Sequence, residues 1–259
     1  MGTYRRLIAV IFCVLAVAVL LPAGVPAAEE GWRFQVAPYV WIVGIDGEAT
    51  VNGVKSDIDI SFSDIMDNFD LGGQVNLQAR KDRYGLFVDA TYLSTSETSK
   101  VKAPNGVTVL KVDVDQDTWT VDFGAAYTVG RWPRANLDLI AGGRYWNTKT
   151  ELDLRSPFFP GRVNPEKRFE WIDPILGARV LVNLTESLQL ALRGDIGGFD
   201  VGGSSKSTWQ LAGYLGYAFT PAIGAWAGYR YLAVDYEEND RNKLDQKQSG
   251  PVLGVSFRF

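Results

Sequence analysis

The side chains able to do chemistry in this 259-residue chain are arginines and aspartates, not histidines. There is no histidine at all, and the one cysteine is Cys13. That excludes Ser-His-Asp and Cys-His nucleophilic sites, HExxH zinc sites and any imidazole proton relay. What recurs instead is single charges set into otherwise neutral segments: Arg33, Arg80, Asp89, Asp122, Asp138, Arg144, Asp173, Arg179, Arg193, Asp195, Arg230 and Arg258. Spaced in this way, such groups either pair across a confined space or line a polar path. A glycosidase-like pair would need two acids held about 5–10 Å apart at an accessible mouth. Asp173 and Asp195 are the nearest candidates, and each has an arginine close by in sequence, which points to ion pairing. The chain is therefore not expected to be an enzyme or to use a cofactor.

The elements that position these residues have a period of two. From Leu71 to Arg80, Leu71, Gly73, Val75, Leu77 and Ala79 alternate with Gly72, Gln74, Asn76, Gln78 and Arg80. From Thr118 to Val129, Trp119, Val121, Phe123, Ala125, Tyr127 and Val129 alternate with Thr118, Thr120, Asp122, Gly124, Ala126 and Thr128. Ser187 to Gly198, Thr208 to Phe219 and the stretch Gln248 to Phe259 repeat the pattern. Weaker copies run over Trp32–Ile45, Tyr84–Thr95, Asn136–Thr148, Phe169–Asn183 and Ile223–Tyr236. Alternation puts one set on each face of a strand, so these ten segments read as strands, and no helical period competes with them.

The connections alternate as well. Short turns at Lys81–Arg83, Gly130–Arg134, Asn183–Glu186 and Thr220–Ala222 are interleaved with long polar stretches at 46–70, 96–117, 149–168, 199–207 and 237–247. Ten strands with short turns at one end and long loops at the other describe an all-β antiparallel transmembrane β-barrel with periplasmic turns and external loops. Eight or twelve strands are the alternatives, because the Asn52-Gly53 and Asn105-Gly106 hairpins are either loop extensions or further strands. A soluble β-sandwich alternates too, but the apolar face here carries no charge in the clear segments. Aromatics also sit near segment ends (Trp32, Trp119, Tyr127, Trp132, Tyr145, Trp171, Trp209, Tyr217, Phe219 and Phe259), as in interfacial girdles. A mean hydropathy near zero is then two opposite faces averaged.

Arg5 and Arg6, the apolar run Leu7–Leu21 and the small-residue end Val25-Pro26-Ala27-Ala28 read as a secretory signal peptide over 1–28, cleaved after Ala27 or Ala28. The run is shorter than the roughly 20 residues of a helical span. It leaves one barrel domain, 29–259, with no cysteine, destined for the bacterial outer membrane. A formal net charge of -4 gives no reason to expect a nucleic-acid partner.

The final Val255-Ser256-Phe257-Arg258-Phe259 resembles the C-terminal assembly signal of bacterial outer-membrane proteins, with Phe257 and Phe259 as its aromatic positions. Five further stretches resemble a widespread family of proteobacterial outer-membrane barrel proteins of porin-like architecture. They are Pro38-Tyr39-Val40-Trp41, Phe62-Ser63-Asp64-Ile65-Met66-Asp67-Asn68, Trp171-Ile172-Asp173-Pro174, Arg193-Gly194-Asp195-Ile196-Gly197-Gly198-Phe199 and Gly228-Tyr229-Arg230-Tyr231-Leu232. The resemblance implies a fold and a location, with outer-membrane lipid, lipopolysaccharide and the barrel assembly machinery as partners. It implies no activity.

If the apolar set faces lipid, seven arginines and five aspartates face the lumen among Gln35, Gln74, Asn76, Gln78 and Gln189. The near-balance predicts an interior laced by salt bridges, yet the leading functional expectation is a porin-like barrel with a narrow polar conduit for small solutes or ions. The alternative is a structural or surface-interaction barrel with a closed, salt-bridged interior and no transport. In the first long loop, Ser63 as an N-cap with Ile65, Met66 and Phe69 predicts a short amphipathic turn that either folds into or over the mouth as a partial plug or stands as a solvent-exposed helical turn. The same loop carries Asp46, Glu48, Asp57, Asp59, Asp64, Asp67 and Asp70 against only Lys55. Oxygen ligands suit Ca²⁺, but the spacing is not that of an EF-hand, so a solvated acidic loop is the expectation and no metal site is assigned.

Overall fold

The computed structural model describes residues 31–60, 73–102, 108–156, 159–163 and 166–259. The leader expected over 1–28, the plug expected at Ser63, Ile65, Met66 and Phe69, and the Asn105-Gly106 turn lie outside those residues. Among the described residues there are thirteen strands and no helix. They are β1 (Arg33–Trp41), β2 (Gly44–Val51), β3 (Val54–Ile60), β4 (Gly73–Lys81), β5 (Tyr84–Lys102), β6 (Thr108–Arg131), β7 (Ala135–Ser156), β8 (Phe159–Val163), β9 (Glu166–Asn183), β10 (Leu188–Gly198), β11 (Ser207–Ala218), β12 (Ile223–Asn239) and β13 (Asn242–Arg258).

β1 pairs with β4 on one side and with β13 on the other. This closes a ring of ten antiparallel strands in the order β1, β4, β5, β6, β7, β9, β10, β11, β12, β13. Closure leaves the ring without an edge. Phe34 and Phe259 exchange backbone hydrogen bonds of 3.1 and 2.9 Å at the seam. The remaining strands are additions at the other end of the barrel. β2 continues beside β13 where β1 stops, and β3 folds back on it about Asn52-Gly53. Asn52 and Gly53 have φ of 52° and 86°, the left-handed pair that a type I′ hairpin turn requires. That hairpin is therefore a loop extension and not a pair of barrel strands.

Strands of 24 and 22 residues (β6 and β7) are about twice the 9–11 residues needed to cross a bilayer. Where they leave the membrane, the apolar face changes sides. In the lower part of β12 and β13, Ile223, Ala225, Ala227, Leu253 and Val255 point outward while Arg230 and Ser256 are buried within. Further along, Asp235, Glu237, Lys243 and Asp245 point outward, and Leu232, Val234, Tyr236 and Leu244 are the buried set. The first arrangement suits lipid outside and polar groups inside; the second suits water outside.

Between the aromatic borders of the lower section the outward positions are uncharged. Its large residues are exposed, among them Ile196 at 59%, Leu211 at 61% and Leu253 at 54%. Aromatic pairs border this belt: Tyr92 with Trp119 and Trp209 with Tyr231 on the long-loop side, Tyr84 with Tyr127 and Tyr217 with Phe219 on the short-turn side. The start of β1, the end of β13 and the short turns share one end, which is the periplasmic one.

Strand coiling brings β6 and β7 very close at Gly124 and Gly142, which face each other in register. A Cβ on Gly142 would lie 2.0 Å from the Phe123 carbonyl oxygen. Gly142→Ala is expected to destabilise the barrel by about 1–3 kcal/mol, since backbone must move. Gly194→Ala, whose Cβ would meet nothing nearer than 3.8 Å, is expected to stay within about 0.5 kcal/mol of wild type. Urea midpoints in lipid vesicles compare the two.

Candidate functional site: the barrel interior

Three layers fill the lumen. The middle one is built on neighbours across the ladder, with Asp122 on β6 directly opposite Arg144 on β7. The Arg144 guanidinium grips both oxygens of Asp122 at 2.7 and 2.9 Å, and reaches Asp195 Oδ1 at 2.8 Å and Thr208 Oγ1 at 3.0 Å. All three charged side chains are wholly buried. Arg193 closes the square, donating to Asp122 and Asp195 at 2.9 Å each. Arg193 and Arg179 are direct cross-strand neighbours, a repulsive placement, but they turn to different acids.

Arg230 completes the layer. It donates to Gln210 Oε1 at 2.7 Å and to the Tyr39 hydroxyl at 3.1 Å, approaches Asp89 at 3.4 Å, and lies 4.6 Å from the Trp41 ring centroid. Tyr39 in turn donates to Asp89 at 2.6 Å, and Asn76 donates to the other Asp89 oxygen at 2.8 Å. Charged partners this close and this dry fix one another's geometry.

Above this layer, toward the external end, the interior is apolar. Trp171 stacks on Tyr236 with centroids 3.9 Å apart and on Trp146 at 5.5 Å, and Phe169 meets Tyr236 edge-on. Trp41, Leu232, Leu244 and Val252 complete the same cluster. Sequence parity assigns Asp173 to the lumen, yet Trp171, two residues before it on the same face, was expected in an interfacial girdle. The structure corrects this: Trp171 is inside, because the strands have already left the lipid at that height.

Asp173 departs from the expected ion pairing. Although opposite Arg144 in register, it receives three neutral donors: the indoles of Trp146 and Trp171 at 3.1 Å each, and the Ser205 backbone N–H at 2.7 Å. It thereby ties the aromatic stack to the β10–β11 turn. Still higher, Gln246 on β13 donates to Gln116 on β6 at 3.1 Å across the mouth.

The third layer is periplasmic. Asp138 receives Arg179 Nε at 3.2 Å and Nη2 at 3.1 Å, Thr128 at 2.8 Å, and the Arg80 guanidinium. Arg179 also crosses to Gln78 on β4 at 3.0 Å. Arg258 bonds Gln35 at 3.3 Å, and both it and Arg33 are exposed at the rim. The sequence-derived set is thus split: Asp89, Asp122, Arg144, Arg193, Asp195 and Arg230 form one network, Arg80, Asp138 and Arg179 a second, and Asp173, Arg33 and Arg258 join neither. The aromatic cap was not among the candidate residues, though the parity of Trp41, Trp146, Trp171 and Tyr236 signals it.

Outside, above the belt, Glu48, Lys55, Lys206, Asp235, Glu237, Lys243 and Asp245 line a shallow cleft of about 420 Å³. The hydrogen bonds from Lys206 and Lys243 hold the Glu237 carboxyl below its usual range, so this pairing persists on acidification until the pH falls through that lowered value. Asp46 and Glu48 lie on β2, where Lys55 pairs with Glu48 at 2.7 Å. Among the described residues no group of three or more acids is arranged to hold a metal ion.

A closed antiparallel barrel with an uncharged apolar belt between aromatic borders is a transmembrane β-barrel of the Gram-negative outer membrane. No protein-family model and no curated protein matches the chain. Among solved structures it is similar to an outer membrane channel from Pseudomonas putida F1 (11% identity, 92% of this chain and 99% of that one, TM-score 0.42). It is also similar to Neisserial surface protein A (14%, 89% and 100%, TM-score 0.36) and to Ail, the attachment invasion locus protein of Yersinia pestis (13%, 89% and 99%, TM-score 0.33).

Proposed function

We propose that this chain is a closed outer-membrane barrel that passes no solute and serves as a rigid platform for its external wall. The sequence left two readings open, a polar conduit and a salt-bridged scaffold. The observation that carries the second is Arg144, wholly buried between Asp122 and Asp195 directly beneath the aromatic cap. A conduit needs a hydrated path; here two dry layers lie in series across the lumen. The upper sections of β12 and β13, with β2 and β3, form a wall that stands clear of the membrane and is braced at its tip. Asn52 N–H donates to Asn242 Oδ1 at 3.0 Å, and Gly53 N–H to the Arg241 carbonyl at 2.8 Å. Lipid and lipopolysaccharide surround the belt and the wall above it, and Phe257 and Phe259 present the closing strand to the barrel assembly machinery.

Planar-bilayer recording of the purified protein tests this reading. The expected result is a silent bilayer, with no uptake of small sugars by protein-containing liposomes. Reproducible unit conductance from the wild-type chain would reject the platform and restore the conduit.

A further inference from the structure

The twelve charges assigned to the lumen are nearly balanced in sum but not along the barrel axis. Arg144, Arg193 and Arg230 share the middle and upper interior with Asp89, Asp122, Asp173 and Asp195. Arg33, Arg80, Arg179 and Arg258 share the periplasmic part with Asp138 alone. Asp138 is buried and already receives both Arg80 and Arg179, so one carboxylate answers for four guanidiniums. Arg33 faces Arg80 directly across the β1–β4 ladder and takes no partner among the described residues. Arg258 has a neutral one, Gln35. The turns around the mouth add Lys81, Arg83, Arg131 and Arg134, all exposed. Arg83 and Arg131 spend donors on backbone carbonyls, of Thr128 at 3.1 Å and Asp82 at 2.9 Å. Only Asp82 and Glu186 oppose them among the side chains of the described turns.

Solvent enters this part of the lumen from below. The Arg80 side chain is 25% exposed and those of Arg179 and Arg193 12%, whereas Arg144 and Asp122 above them are at 0%. The periplasmic end of the lumen is thus open to solvent, carries excess positive charge and is backed by a dry layer, an arrangement that concentrates counter-ions. Guanidinium groups match the paired oxygens of phosphate and carboxylate groups. Arg33 takes no partner among the described residues, while Arg179 has only the second N–H of each terminal nitrogen left beyond its bonds to Asp138 and Gln78.

We infer that this periplasmic end of the lumen is a binding site for an oxyanion, with Arg80 and Arg179 on the inner side and Arg33 and Arg258 at the rim. The ligand is a phosphate- or carboxylate-bearing group of the periplasm. It comes either from a soluble molecule or from the headgroup of an anionic phospholipid of the inner leaflet. The site goes beyond the closed-platform reading and does not depend on it, since it is entered and left from one side.

Isothermal titration calorimetry of the full barrel in neutral maltoside micelles, with inorganic phosphate as probe at constant ionic strength, tests the site. Wild type is expected to bind saturably. Arg179→Gln is expected to weaken binding about ten- to hundred-fold, the effect of one lost charge-assisted contact. Arg33→Gln, at the exposed rim where folding is not at stake, is expected to weaken it by a smaller factor. Heat-modifiability on gels verifies that each variant is folded. Repeating the titration in phosphatidylcholine nanodiscs, with and without phosphatidylglycerol, separates the sources. Binding retained in both discs supports a soluble ligand, and binding abolished only by phosphatidylglycerol supports the lipid headgroup. No saturable binding by wild type, or equal affinity in folded Arg33→Gln, would overturn the site.

Discussion

Arg144→Met is expected to destabilise the folded barrel by about 3–5 kcal/mol, the scale for stranding buried charges by removing one partner. Arg144 makes three of the closest charged contacts in the lumen, two to Asp122 and one to Asp195. Without it the two carboxylates keep Arg193 between them at 2.9 Å each, and Arg230 stands 3.9 Å from Asp122. Neither can move to water, because the strands on all sides hold them in place. Methionine fills much of the volume, so the loss reads electrostatics more than packing. The double variant Arg144→Met/Asp122→Asn removes one charge of each sign and is expected to be more stable than the single variant, with a coupling of about 0.5–3 kcal/mol. Urea unfolding in lipid vesicles measures all three. An Arg144→Met barrel within 1 kcal/mol of wild type would show that the network is ornamental to stability and that the closed interior rests on the cap.

The parity of charges could be read from sequence because a strand has only two faces, and a lipid-facing one tolerates no Arg or Asp. Asp122, Arg144, Arg193, Asp195 and Arg230 were therefore assignable to the lumen one strand at a time. Which of them meet was not assignable. Arg193 and Asp122 are on β10 and β6, and their contact depends on strand tilt and lumen shape rather than on any local spacing. The same limit hid the axial sorting of charge: seven arginines against five aspartates looked balanced until height along the barrel separated them.

Strand ends were lost for a different reason. On β13, Lys243, Asp245 and Lys247 alternate with Leu244, Gln246 and Gln248 as regularly as the membrane section does, but with the charges now on the outward set. A reader following an apolar outward face stops near Ser249, where that face ceases to be apolar. Asp113, Asp115 and Asp117 end the pattern on β6 in the same way. Trp171 was misassigned by the complementary error, an aromatic near a strand end taken for a girdle residue although its parity matched Asp173.

The reversal also predicts where the second seal lies. Trp171→Ala is expected to cost about 3–5 kcal/mol, as for a large aromatic removed from a packed core. Its ring stands between Tyr236 and Trp146, so its loss opens a void that those two rings cannot fill together. It also removes one of the three N–H donors to Asp173, leaving Trp146 and Ser205 to hold a wholly buried carboxylate. The bilayer is nonetheless expected to stay silent, because Arg144, Asp122 and Asp195 close the lumen beneath the cap. Urea unfolding and single-channel recording on the same preparation separate the two statements. A conducting Trp171→Ala barrel would locate the seal in the cap alone, and a variant as stable as wild type would mean the stack is not a packed core. The expected combination, a large stability loss with no current, is what two independent closures in series require.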